Sequence, residues 1–547
     1  MNIFKDRFSE IKKASEPLYK SPKSVQETIE ILKISESGIF EVADGKYSKT
    51  YRFSDVNYAT RSEEEQESFF QRYCRCLNSF DCTFKITVNN KNKDMDVLRN
   101  EVMLKYRNDG FDKMRESYNR IIEEKILEGR QGIEQERYLT ITIERKNFEE
   151  AKAQFATIEA SMFRSFAELG SKLTPLTGNE RLKILHDYYR LGREDEFNFD
   201  IRQGRITGTD FRNEICNTRI KYHPDYFENE GKVGRVLFIK KYPTYLSDRF
   251  FTELTFLPVH SVTSVDVVPV PKDLTMKMLQ KKYLGIESDI IKQQRTRNRN
   301  NDFSSDISYA TRQKKKDIEE IMNNVRENDE SLYYVSVTMI VMADDRDELE
   351  SICETVDSIA KGAGCAVDTC MYKQREAVNT TLPIGVRQIE TMRTMLTQSL
   401  AVLMPFNVQE LCDRNGIYYG VNQISKNIIV GNRKKLLNGN GFIFGVSGAG
   451  KSFQAKMEMG SVLLSTDDNV IAVDPMNEYE DVTEKYNGTY INISTNTRNY
   501  INPMDMDVWN LDVLDSKGWV RDKCQFMLSI CEQIMKEITP QQRSIIS

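Results

Sequence analysis

The sequence predicts an α/β protein in two parts: a large α+β N-terminal domain, then a partial α/β domain built around a glycine loop. Three observations predict this. Alternating runs at 137–144 and 333–340 are each followed by apolar residues at helical spacing. A short apolar run, Gly441-Phe-Ile-Phe444, enters a glycine-rich turn that leads into a helical pattern. The chain has 547 residues, and at about 150 residues per domain a single core is not expected.

Residues 1–36 are polar, with Pro17 and Pro22, and read as an arm with a short helix at 25–32. Two extended runs, 38–42 and 47–53, flank Asp44-Gly45, a hairpin signal. Residues 62–78 read as a helix and 83–88 as a strand. The strand at 137–144 precedes a helix with Phe148, Phe155, Ile158, Phe166 and Leu169 on one side, ending before Gly170. The strand at 333–340 precedes a second helix, with Leu349, Ile352, Val356 and Ile359, ending near Gly362 and Gly364. A duplicated strand–helix module is one reading, and two unrelated segments explain the pattern nearly as well.

Residues 281–316 hold ten basic and four acidic residues, among them Lys314-Lys-Lys316. They read as a solvated, partly helical linker. The functional alternative is an anionic contact, to DNA or to inner-leaflet lipid. No aromatic ladder accompanies the charges, so base stacking has no support. Thr381-Leu-Pro-Ile-Gly385 breaks any regular element. The expected division is an α+β domain at 1–280, a basic linker or hinge at 281–330, a second α/β segment at 331–410 and the glycine-loop domain at 411–547.

Composition narrows the function classes. Lys and Arg number 77 against 82 Asp and Glu, a net charge of −5. That balance excludes a globally basic nucleic-acid coat and a disordered acidic tail. Ten cysteines are scattered through the chain, as in a reduced intracellular protein. Cys74, Cys76 and Cys82 cluster, but they lack a second pair at zinc spacing. The N-terminus carries charges where a signal peptide needs an apolar run. The longest apolar run, 400–406, contains Pro405 and falls short of the roughly 18 residues of a spanning helix.

The strongest signal is Gly445-Val-Ser-Gly-Ala-Gly-Lys-Ser452, with Phe453 opening the helical segment behind it. It satisfies G-x-x-x-x-G-K-[ST], and a strand and a helix flank it correctly. Gly445, Val446, Ser447, Gly448, Ala449, Gly450, Lys451, Ser452 and Phe453 form the candidate ATP-binding loop. The glycines let backbone N–H groups wrap around phosphates, and the helix N-terminus adds positive potential. Lys451 is expected to reach the β- and γ-phosphates and Ser452 to ligate Mg²⁺. Asn469-Val-Ile-Ala-Val-Asp474 reads as the next parallel strand, which places Asp474 at the sheet's carboxyl edge. Asp474 has two readings: a holder of the Mg²⁺ shell, or a cap on the turn before Pro475. Glu478 has two as well: an orienter of attacking water, or an exposed side chain. A further strand is expected at 488–493 and a long helix at 516–538. No apolar strand ending in an Asp-Glu pair follows Asp474. Either Asp474 does that work alone or the sequence is a fragment, and the second is favoured.

The order Gly-Val-Ser-Gly-Ala-Gly-Lys-Ser-Phe-Gln-Ala-Lys, then Val-Ile-Ala-Val-Asp-Pro-Met-Asn-Glu-Tyr, then Ile-Asn-Pro-Met-Asp resembles the transfer ATPases of type IV secretion systems. These form the CagE/TrbE/VirB family, and the likeness is greatest to versions on conjugative elements of Gram-positive bacteria. Asn379-Thr-Thr-Leu-Pro383 also fits the family layout. The convincing match covers about residues 375–505. The resemblance implies a cytoplasmic ATPase, peripheral to the inner face of the cell membrane. It implies docking on inner-membrane subunits of a secretion channel and self-association, often as a hexamer. It also implies a RecA-like motor domain related to the FtsK/HerA group, with Lys451, Asp474 and Glu478 in catalytic positions. Three functions compete: an energy-coupling ATPase of conjugative transfer, a DNA-translocating ATPase or helicase, and a nucleotide-binding assembly module without turnover.

Overall fold

The computed structural model describes residue 22 and residues 24–92, 102–128, 133–243, 245–299, 309–327, 330–408, 411–413, 416–423, 427–494, 497, 502–505, 516–535 and 537–546. The chain forms two compact units. One comprises residues 1–107 and 112–440, the other residues 108–111 and 441–547.

The first unit is organised by a 13-stranded antiparallel sheet. Its strands repeat in two sets of six. The first set is β1 (Lys33–Ile34), β2 (Ile39–Ala43), β3 (Lys46–Phe53), β4 (Thr83–Asn92), β5 (Ile133–Glu144) and β6 (Leu173–Pro175). The second is β7 (Ile220–Tyr222), β8 (Phe227–Asn229), β9 (Lys232–Lys241), β10 (Ser261–Val270), β11 (Leu332–Ala343) and β12 (Ala366–Thr369). In each set a hairpin leads into a β-α-β-β-α-β module. The first module's helices are α1 (Glu63–Asn78) and α3 (Phe148–Leu169). α2 (Asp112–Glu128) lies in the connection between β4 and β5. The pairing matches step for step. β3 pairs β5, which pairs β4, and the free edge of β3 is shared by β2 and β6. β9 pairs β11, which pairs β10, and the free edge of β9 is shared by β8 and β12.

The two modules join through β4 and β10, antiparallel, with Thr87 opposite Ser264. Their hydroxyls lie 2.8 Å apart at that seam. Of the two readings of the strand–helix pattern, duplication is the one that this topology carries, and it extends over six strands. The long segment 271–331 connects β10 to β11, which pair with each other along their whole length. The described residues of the expected linker at 281–330 thus lie inside the second module, most of them in α6 (Lys272–Arg299) and α7 (Tyr309–Glu327).

Local signals set the helix ends. Ser62 and Glu65 close a capping box at the start of α1. Asn147 caps α3 and Gly170 ends it at φ 80°. Both are the devices that satisfy orphan backbone groups at helix termini. α4 (Gly178–Tyr189) follows β6, α5 (Arg249–Thr255) joins β9 to β10, α8 (Arg346–Gly362) follows β11 and α9 (Gln374–Thr381) follows β12. The expected helix at 25–32 is only a short 3-10 turn at Gln26–Thr28. The hairpin of β14 (Ile417–Val421) and β15 (Ile428–Gly431), read above with the glycine-loop domain, packs in the first unit. Ile428 and Val430 bury against Val102, Ile122 and Ile126. One further strand, β13 (Arg393–Leu396), pairs with β11.

The two faces of the sheet differ. One is apolar: Tyr51, Phe84, Ile141, Val265 and Val337 bury there with Phe69, Phe155, Phe251 and Val356 of the helices. The other presents Ser48, Thr50, Lys85, Thr87, Thr140, Ser264 and Asp266, all buried. What covers these polar residues is the segment after α9. Every carbonyl from Thr380 to Val386, seven in succession, accepts a side-chain hydrogen bond from Lys85, Ser264, Thr50, Ser48, Thr142 or Arg181. Arg181 of α4 is fully buried and also bonds the carbonyls of Gly38 and Ser48, each at 2.9 Å. Arg387 closes the segment with a bidentate pair to Asp266 at 2.7 and 2.8 Å. Gly385, at φ 94°, lies so close to β3 and β5 that a Cβ would meet Ser48 and Thr142 at 2.6 Å. Only glycine fits both that conformation and that approach.

Burial pulls the Lys85 ammonium down to about 8 from 10.5; Asp266 opposes the change and Arg387 adds to it. The unfolded chain keeps this proton up to 10.5, so the Lys85 contribution to stability rises as pH climbs from 8 towards 10.5. Lys85→Met strips a donor from the carbonyls of Thr380, Leu382 and Val386. It is expected to lower unfolding free energy by about 2–4 kcal/mol at neutral pH. The gap to wild type should widen between pH 8 and 10.5, because the variant lacks the gain. Denaturant melts across that range check this, and a narrowing gap contradicts it.

Candidate nucleotide site

The second unit is built around α10 (Lys451–Ser465), with α11 (Glu480–Lys485), α12 (Ser516–Ile534) and α13 (Pro540–Ile546). The glycine loop leads straight into α10, whose first residue is Lys451 and whose N-cap is Gly450. Gly448 and Gly450 have φ values of 79° and 89°. Side chains disfavour that region, so these two glycines give the loop its reversal. Gly445 does something different: a Cβ there would meet the Lys451 stem at 3.2 Å. Its bareness makes room for the lysine to fold back. The Lys451 ammonium donates to the Val446 carbonyl at 2.9 Å, so it lies over the loop. The first turn is closed by the Gln454 N–H on the Gly450 carbonyl. The N–H groups at the start of α10 have no intrahelical acceptor and remain for an anion. Ser447, Ala449, Ser452 and Phe453 complete the expected loop, and Phe453 is exposed.

Asp474 lies in a turn. Its carboxylate accepts from the N–H groups of Met476, Glu478 and Tyr479, at 3.2, 2.6 and 2.9 Å. Partial desolvation pushes its carboxyl up. The N–H groups of Tyr479, Glu478, Met476 and Asn477 more than offset that, so it lies below the usual carboxylate range. Of the two readings of Asp474, capping is the one seen directly. A carboxylate has about four lone-pair sites, so these contacts do not by themselves bar a metal from Oδ1, which receives the Met476 N–H. Glu478 is exposed.

Two side-chain contacts hold this turn in place. The Lys456 ammonium of α10 stands 5.7 Å from the centre of the Tyr479 ring. The turn bearing Asp474 and Glu478 is thereby tied to the helix that begins at Lys451. Tyr490 donates its hydroxyl to Asn477, which adopts φ 58° in the turn. α11 approaches α10 at Gly460, where a Cβ would meet the Tyr486 hydroxyl at 2.7 Å. Lys456 and Tyr479 both lie in the segments that carry the resemblance, and the sequence alone does not show that they meet.

The strands expected at 441–444, 469–474 and 488–493 are a correction. These segments are not paired in a sheet among the described residues. Ile471 and Val473 are 93% and 94% exposed, and Phe442 stacks on Phe444 in the open. Extended chain becomes a strand only where a neighbouring backbone supplies the ladder.

The ATP and Mg²⁺ expected here can be tested against the donor set. Mg²⁺ takes hard oxygen ligands and keeps several waters, so one or two protein oxygens suffice alongside phosphate. The Ser452 hydroxyl and the Asp474 carboxylate are of that kind, and the loop N–H groups and Lys451 suit a polyphosphate. Among the described residues no group of three or more His, Cys, Asp or Glu is placed to hold a metal. Cys74 and Cys76 are buried in the sheet core, their thiols pushed up to about 12 by burial.

Comparison with known proteins points to the same region. Residues 432–545 match the family model of the central domain of helicase HerA. The C-terminal half of the chain thus carries a HerA/P-loop-type ATPase domain, next to a mixed α/β unit with a large antiparallel sheet. A search of curated proteins finds no match. Among the described residues no helix is long and apolar enough to cross a membrane.

Gly450→Val forces a branched side chain into the left-handed region. It is expected to weaken ATP binding at least tenfold, the equivalent of about 1.4 kcal/mol. Titration calorimetry on the full chain measures this, and unchanged affinity contradicts the loop's role.

Proposed function

We propose that the chain is the ATP-hydrolysing motor or energy-coupling subunit of a conjugative type IV secretion system. The observation that carries this reading is the loop–helix unit: Lys451 folded over a glycine reversal, with the Asp474 turn fastened to the same helix. The loop N–H groups and Lys451 bind and orient the phosphates, where their charge favours the transferred group. Ser452 and Asp474 are the residues that would hold Mg²⁺, which when bound neutralises charge on the phosphate oxygens. Glu478 is the candidate for orienting water. In this reading the chain docks on inner-membrane subunits of a channel and assembles with copies of itself, as a hexamer.

A second reading, a DNA-translocating ATPase of the FtsK/HerA group, is favoured by one specific finding, the match of 432–545 to the HerA central domain. The two differ in what stimulates turnover.

Phosphate release from Mg·ATP, with and without duplex DNA, separates them. The conjugative reading expects release that DNA leaves unchanged, and strong DNA stimulation transfers the assignment to the second. Lys451→Ala should abolish release, and Asp474→Asn should reduce it about 100-fold while ATP affinity falls less than threefold. ATP binding without release in wild type would leave a nucleotide-binding assembly module.

A further inference from the structure

α6 and α7 form an antiparallel pair outside the sheet. The root of α6 is anchored: Thr275 and Leu279 are buried, and the Tyr334 hydroxyl of β11 reaches the Met278 sulfur at 3.8 Å. Beyond Leu279 no described residue of α6 is buried. One side of the helix faces α7, where Lys315 pairs with Glu287 at 3.0 Å and lies 5.0 Å from the Tyr283 ring centre. Tyr283, Ile286 and Ile290 line that side and are half-buried.

The opposite side has a different composition. At about 100° per residue, Lys277, Lys281, Lys292 and Arg295 fall within roughly 60° of arc. All four are exposed. Leu274 lies in the same sector, and Leu284 and Ile291 flank it. These three aliphatic residues are 47%, 62% and 48% exposed. Of the acidic residues on α6, Glu287 is engaged by Lys315, Asp289 lies on the far flank and Asp273 sits in the first turn. Exposed basic residues alone fit any polyanion. Exposed aliphatic residues beside them do not help a helix on DNA, whose reachable backbone is phosphate and sugar. They do help a helix lying on a bilayer, where aliphatic side chains enter the headgroup boundary and cations meet anionic headgroups.

We infer that the outer face of α6 is a docking surface for an anionic lipid bilayer, with Lys277, Lys281, Lys292 and Arg295 as its charge contacts and Leu284 and Ile291 as its apolar ones. This goes beyond the motor reading and does not depend on it. The chain needs no spanning helix to reach a membrane by this route. The contact is reversible and salt-sensitive, since each cation contributes modestly.

The test is co-sedimentation of the full chain with vesicles of phosphatidylcholine containing about one third phosphatidylserine. Binding to these, and not to pure phosphatidylcholine vesicles, is expected. Lys281→Gln with Lys292→Gln should weaken partitioning about 25-fold, at about fivefold per cation. Leu284→Ser with Ile291→Ser should weaken vesicle binding severalfold and leave any binding to duplex DNA unchanged. All four positions are exposed, and circular dichroism verifies that the variants keep their helices. Lys451→Ala should sediment like wild type, which separates this surface from the nucleotide site. Absence of sedimentation, or partitioning unaffected by the lysine pair, overturns the proposal. So does DNA binding that needs the same lysines without vesicle binding, which would reassign the face to nucleic acid.

Discussion

The first unit depends on how seven carbonyls in a row are kept from being orphaned. The segment from Thr380 to Val386 lies on the sheet with no ladder of its own, and such groups are costly to bury unpaired. Two buried cations and a set of hydroxyls supply the donors: Lys85 and Arg181, with Ser48, Thr50, Thr142 and Ser264. The donors come from β3, β4, β5, β10 and α4. The acceptors follow the second module, whereas most of the donors belong to the first. The segment therefore binds the duplicated halves across the β4–β10 seam. Cations and carbonyls justify each other: each charge would be expensive there without acceptors, and each acceptor without its donor.

The second unit follows a different logic. Its ordered features are local: two glycines in the left-handed region, a lysine folded back over the loop, and a carboxylate gathering three N–H groups of its own turn. Each needs only a short stretch of chain. A short motif can therefore state a phosphate site fully while the strands around it remain unladdered. The Lys456 ammonium beside the Tyr479 ring ties the two local features together.

These differences explain what was legible in the sequence. Period-two runs and Gly170 at a helix end announce strands and helix limits, and β5, α3, β11 and α8 lie where the pattern placed them. The six-strand duplication was only half visible, because its copies differ in side chains and carry unlike insertions. The polar sheet face misleads in a specific way. Lys85, Thr87 and Thr140 alternate with apolar residues as a solvent-facing row does, yet they are buried, as are Ser48 and Thr50. Alternation reports which residues share a face, not what covers it. What covers this one is Thr-Leu-Pro-Ile-Gly, which sequence reading could describe only as irregular. Likewise 281–316 was readable as charged and partly helical, but the placing of Lys281, Lys292 and Arg295 on one side of α6 needed the helix limits.

The central claim is that residues 445–452 form a polyphosphate site held by Lys451 and the start of α10. Equilibrium binding of ATP, ADP, AMP and adenosine to the full chain tests it most directly. Affinity should climb with each added phosphate, adenosine should not bind measurably, and Lys451→Ala should flatten the series. Equal affinity for adenosine and ATP, or a series unchanged by Lys451→Ala, would contradict the account.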